Sequence, residues 1–100
     1  MTHGGPLPIR MYARPDCEDS ELARERLRAL GIPFIEINID EDEEAARYVE
    51  RLNRGFRSTP TIVFGDEAFY IVEPTVEQLD EALRRAGYAI PIGENPENPL

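Results

Sequence analysis

The chain has 100 residues, enough for one small domain and too few for two independent cores. Its net charge of −9 excludes the clustered basic surface that nucleic-acid phosphates or an anionic membrane would need. With 41% hydrophobic and 31% charged residues the composition is that of an ordinary globular domain, and no apolar run approaches the ~20 residues of a membrane helix.

Residues 1–8 carry two glycines and two prolines and read as a flexible arm, with His3 inside it. No basic region followed by an apolar stretch opens the chain, so a cytoplasmic location is expected. Ile9 to Tyr12 is a short apolar strand. Glu18 to Leu30 has the helical pattern, with Leu22, Leu27 and Leu30 near one face and Gly31 as its stop. Phe34 to Ile39 alternates as a strand does. Asp40 is the expected N-cap of a second helix that runs to about Leu52, and Glu41, Asp42, Glu43 and Glu44 complement the positive end of its dipole.

Thr61 to Phe64 is a strand of β-branched and aromatic residues. Gly65-Asp66 is a plausible tight turn into a further strand at about Ala68 to Val72. Thr75 and Gln78 have capping-box spacing at the start of a last helix, whose stripe is Val76, Leu79, Ala82, Leu83 and Ala86. Residues 88–100 form a proline-rich tail, leaving one domain over 9–87. The order βαβαββα makes an α/β fold. The first two strands flank a helix and are expected to be parallel, the last two to form an antiparallel hairpin, giving a mixed four-stranded sheet with helices on both faces, the minimal thioredoxin arrangement.

Cys17 is the only cysteine, which rules out a disulfide within the chain and a zinc site built on several thiolates. No metal site is expected. Cys17 follows the first strand directly and opens the first helix, where unpaired N–H groups and the helix dipole favour a thiolate. Arg14 adds a positive charge nearby, and Asp16, Glu18 and Asp19 oppose it, so the thiol pKa is expected to be modestly depressed. The competing reading is a small inert core residue. Pro, Asp and Glu neighbours suit a turn or surface better.

These features together resemble the glutaredoxin family over roughly Ile9 to Ala86. Tyr12 stands five residues before Cys17-Glu18-Asp19-Ser20, at the place of the family's Cys-x-x-Cys motif, and Ala23 and Leu27 follow as in its first helix. Gly31-Ile32-Pro33-Phe34 and Ile37-Asn38-Ile39-Asp40 look like its second strand, Ser58-Thr59-Pro60-Thr61 like its Thr-Val-Pro segment, and Val72-Glu73-Pro74-Thr75 like the ending of mycoredoxin-like members. The resemblance implies Cys17 as nucleophile and Pro60 as the cis-proline beside it. It implies Thr59 as the residue whose backbone meets the thiol ligand, with Arg14 and Arg57 near the positions that contact glutathione.

Ser20 replaces the resolving cysteine, so the implied activity is that of a monothiol thiol–disulfide oxidoreductase. Its turnover needs an external low-molecular-weight thiol, glutathione or mycothiol, acting as co-substrate on disulfide-containing proteins. Ser20 is carried as a catalytic-motif position, though satisfying a first-turn backbone group is its plainer role. The family's Gly-Gly-x-Asp element is absent, and the motif is not Cys-Gly-Phe-Ser. No bound cofactor is expected, and the expected state is a monomer. A redox-inert module, or one that binds an iron–sulfur cluster or a partner, is the alternative on the same fold.

Overall fold

A computed structural model describes residues 5–91. The elements are β1 (Ile9–Ala13), α1 (Glu18–Ala29), β2 (Ile35–Asn38), α2 (Glu43–Leu52), β3 (Thr61–Phe64), β4 (Phe69–Val72) and α3 (Val76–Arg85). The sheet order is β2-β1-β3-β4. β1 runs parallel to β2 and antiparallel to β3, and β3 runs antiparallel to β4. This is the mixed sheet that the order of elements implies.

The period-2 geometry of strands divides the core into two layers. Ile9, Met11 and Ala13 of β1, with Ile62 and Phe64 of β3, face α1 and α3 and pack with Leu27, Leu79 and Leu83. Tyr12 and Val63 point the other way and meet Ala45, Ala46 and Val49 of α2. Among the described residues no helix is long and apolar enough to cross a membrane.

Three local expectations are corrected. The N-cap of α2 is Asp42, not Asp40: the Asp42 carboxylate accepts from the Ala45 N–H at 3.0 Å. Asp40 lies two residues earlier and spends its carboxylate on Arg14. The buried face of α1 is Ser20, Ala23, Arg24 and Leu27, whereas Leu22 is 43% exposed. Leu22 falls outside the i, i+3/i+4, i+7 row that those four residues define. The β3–β4 connection spans residues 65–68 and not a two-residue turn, with Ala68 N–H donating to the Phe64 carbonyl at 2.9 Å and both Gly65 and Glu67 at positive φ.

The capping box of α3 forms as its spacing implies, with Thr75 and Gln78 bonded reciprocally. Gly31, at φ 71°, ends α1 in the left-handed conformation that glycine adopts without steric cost. At the two ends of the described chain, Leu7 N–H donates to the Ala86 carbonyl at 2.9 Å and the Tyr88 hydroxyl to the Leu7 carbonyl at 2.7 Å, and Ile90 is buried. His3 and the tail beyond Pro91 lie outside the described residues.

The face of α1 is open to test. Leu27 is fully buried, so Leu27→Ala is expected to cost about 2–5 kcal/mol. Leu22→Ala is expected to stay within about 0.5 kcal/mol of the parent. Urea unfolding measures both; equal losses would mean that the packed face is misassigned.

Candidate active site

The site forms where three chain segments leave the same end of the sheet. Cys17 is the N-cap residue of α1, with extended backbone (φ −108°, ψ 120°), and its carbonyl accepts from the Glu21 N–H at 2.9 Å. Its side chain makes no capping bond. The sulfur instead turns toward the segment before β3. The Thr59 hydroxyl donates to Sγ at 3.4 Å, and the protonated thiol donates to the Thr59 carbonyl at 3.5 Å. The Thr59–Pro60 peptide bond is cis, and both residues are buried. Cys17, Thr59 and Pro60 therefore meet.

Side chains that the sequence reading did not single out hold this segment. The Thr61 hydroxyl donates to the Ser58 carbonyl at 2.8 Å and accepts from Asn53 Nδ2 at 3.0 Å. The Pro60 carbonyl accepts from the Glu73 N–H at 2.9 Å. Thr61 is fully buried at the start of β3, so its hydroxyl needs these partners. Nothing in the local sequence marks Asn53 as its partner; the contact exists only once α2 and β3 are folded together.

Ser20 lies in the first turn of α1 and is fully buried. Its Oγ accepts from the Arg14 N–H at 3.5 Å. Burial pushes the Cys17 pKa up, but the Thr59 hydroxyl on the sulfur and the polar groups of Ser20 and Asp19 in the first turn of α1 outweigh it. The net shift is below the ordinary thiol value. The depression expected from the sequence is present, with a different cause in part. Short-range hydrogen bonds carry it, and no arginine contributes.

Arg14 and Arg57 stand beside one another, since Arg14 Nη1 donates to the Arg57 carbonyl at 3.1 Å. Neither guanidinium is free. Arg14 Nε is paired with Asp40 at 3.0 Å. Arg57 Nη2 is paired with Glu43 at 2.9 Å, and Arg57 Nε with Glu50. These carboxylates, above all that of Glu50, hold the Arg57 pKa above its usual value. Read from sequence, Asp40 served as a helix cap and Glu43 as a complement to the helix dipole, so their pairing with these arginines was missed. Tyr12 and Phe64 are buried packing residues, whereas Tyr70 is 41% exposed and donates its hydroxyl to the Leu52 carbonyl. Among the described residues no group of His, Cys, Asp and Glu is arranged to hold a metal ion.

A thiol at a helix start, with a depressed pKa and a cis-proline segment against its sulfur, is chemically suited to thiol–disulfide exchange. Comparison with known proteins points the same way. The family model described as Glutaredoxin matches residues 9–69, which include Cys17, Ser20 and Pro60. The chain is 34% identical over 68 residues to the glutaredoxin-like protein NrdH of Lactococcus lactis, covering 67% of this chain and 90% of that protein. It is 32% identical over 76 residues to the Gene 56 protein of Mycobacterium phage L5, covering 76% of this chain and 72% of that protein.

Among solved structures, the NrdH-redoxin of Escherichia coli superposes with TM-score 0.64 at 25% identity, over 84% of this chain and all of its own. The glutaredoxin of Archaeoglobus fulgidus does so with TM-score 0.62 at 30% identity, over 79% of this chain and 87% of its own. With its four-stranded thioredoxin-type sheet, its cysteine at the start of α1 and a family match across most of the folded core, the chain belongs to the glutaredoxin family of thiol oxidoreductases.

Proposed function

We propose that this protein is a monothiol thiol–disulfide oxidoreductase that acts as a monomer, with Cys17 as nucleophile and a low-molecular-weight thiol as co-substrate. The observation that carries the reading is the Cys17 sulfur at the N-terminus of α1, 3.4 Å from the Thr59 hydroxyl beside cis-Pro60.

The reaction runs in two exchanges. The Cys17 thiolate attacks a mixed disulfide and forms a new S–S bond. The protein thiol leaves as a thiolate and takes a proton from solvent. An external thiolate then attacks the Cys17 mixed disulfide, forms a low-molecular-weight disulfide and returns Cys17 as thiolate. Thr59 serves both states. Its hydroxyl donates to the charged sulfur, and its carbonyl, a partner only of the protonated thiol, is free to meet a substrate chain once the sulfur is charged.

Ser20 cannot take the place of a resolving cysteine, because a hydroxyl does not form a disulfide. Its role is to stabilise the thiolate by hydrogen bonding. The E. coli relative is described as having a thioredoxin-like activity profile. A cycle that closes an internal disulfide is shut to this chain, which has one cysteine, so reduction must come from outside. A compartment with a reduced thiol pool, the cytoplasm, suits that requirement.

Two outcomes follow. Reduced protein given a mixed-disulfide substrate and the matching thiol is expected to turn it over, with Cys17→Ser at the uncatalysed rate; a variant as active as the parent overturns the proposal. The lowered thiol pKa means that folding favours the thiolate. Its stabilising effect is therefore present above the unfolded thiol's pKa and lost as pH falls through the folded one. Alkylation by iodoacetamide should accordingly rise with a midpoint below that of a free cysteine, and Thr59→Val should move the midpoint up. A midpoint at or above the free-cysteine value would remove the activation on which the mechanism depends.

A further inference from the structure

The two arginines nearest the thiol are positioned to greet an anionic ligand and are chemically occupied. Arg57 uses one edge for Glu50 and one N–H for Glu43, both on α2. Arg14 uses Nε for Asp40 and Nη1 for the Arg57 carbonyl. Glu43 is further approached by Arg47 at 3.5 Å, one turn along α2, so the four-residue α2–Arg57 cluster balances its own charge. Asp16, Glu18 and Asp19 flank the sulfur on its own segment, are exposed, and form no ion pair among the described residues.

These groups are close to the sulfur. Arg57 is two residues from Thr59, at most about 7 Å along the chain, and Thr59 touches Sγ. An incoming carboxylate therefore meets guanidinium charges already offset by tethered carboxylates, which compete at the high effective concentration of an intramolecular partner. It must also approach three uncompensated negative charges.

We propose that the rim of Cys17 selects its disulfide and thiol substrates by charge, favouring cationic over neutral over anionic ones, glutathione among the last. Asp40, Glu43 and Glu50 act as the specificity-determining residues because they neutralise Arg14 and Arg57. The proposal rests on the exchange chemistry assigned above to Cys17 and names the class of thiol that this chemistry accepts.

The test is the second-order rate of reduced protein with three disulfides: dithiobis(nitrobenzoate), which is dianionic, dithiodipyridine, which is neutral, and cystamine, which is dicationic. Each rate is divided by that of a neutral cysteine peptide to remove intrinsic reactivity. At about 10 mM salt, where the Debye length is about 30 Å, the normalised rates are expected to fall from cystamine to the dianion by about tenfold or more. At about 1 M salt, with a Debye length of about 3 Å, they should converge.

The variants Asp40→Asn and Glu43→Gln/Glu50→Gln, verified as folded by circular dichroism, are expected to raise the dianion rate several-fold relative to dithiodipyridine. Normalised rates equal within twofold at low salt, or fastest for the dianion, overturn the proposal in the unmodified protein, with no variant needed. Charge ordering that the variants leave untouched overturns the assignment to these carboxylates. Charge-ordered exchange without catalytic turnover overturns the oxidoreductase reading while the selectivity stands, and a Cys17 that reacts with none of the three disulfides ends both.

Discussion

The site depends on the register of β1, one of the two central strands and the one that holds both β2 and β3. Tyr12 pairs with Ile37 of parallel β2 and with Thr61 of antiparallel β3, and Ala13 pairs with Asn38. One end of the sheet thus gathers the exit from β1, the exit from β2 and the entry to β3. Cys17 and Arg14 come from the first, Asp40 from the second, and Ser58 to Pro60 from the third. Residues more than 40 positions apart meet because three hydrogen-bonded ladders leave them no other place. A one-residue slip of β1 would move its side chains into the wrong core layer, Tyr12 toward α1 and α3 and Met11 toward α2, and separate the sulfur from Thr59 in the same step.

Within that frame the thiol is tuned at short range. Burial alone would raise its pKa, and the helix dipole faces three acidic neighbours. The Thr59 hydroxyl on the sulfur and the polar groups of the first turn of α1 decide the sign because they are near at hand, whereas Asp16, Glu18 and Asp19 are exposed and act through solvent. The arginines are a different case. They are near enough to matter and are cancelled, pair by pair, by Asp40, Glu43 and Glu50. Thiolate stabilisation and substrate charge are therefore governed by separate groups. In the proposed function, hydrogen bonds set how nucleophilic Cys17 is, and the paired and unpaired charges around it set which substrates approach.

How much of this the sequence discloses follows from the range of each interaction. The elements, their order and the sheet type are legible because apolar periodicity and stop signals such as Gly31 are local. Cys17 at a helix start and Pro60 at a strand start are legible for the same reason. The N-cap of α2 is less so, because Asp40 and Asp42 are equally good caps until β2 places Asp40 beside Arg14. Leu22 is misread because three leucines in one helix suggest a stripe, while the true stripe includes Ser20 and Arg24. Arg24 is buried only because it pairs with Glu36 of β2 at 2.6 Å and with Glu21. The occupancy of Arg14 and Arg57 is the most consequential point hidden from the sequence, since its partners are up to 43 positions away.

The replacement of a second cysteine by Ser20 gains meaning from this arrangement. A buried hydroxyl at the resolving position keeps a polar group that lowers the thiol pKa and gives up the intramolecular exit from a mixed disulfide. In a dithiol protein that exit is internal and indifferent to the charge of any small thiol. In the monothiol cycle proposed above, every turnover admits a thiol from solution past Asp16, Glu18 and Asp19 and past arginines already held by carboxylates. Loss of the resolving thiol thus moves the control of the cycle from the first turn of α1 to its surroundings. On that proposal, the acidic surface that would be a neutral feature around a Cys-x-x-Cys pair becomes, around a single thiol, the element that chooses the reductant.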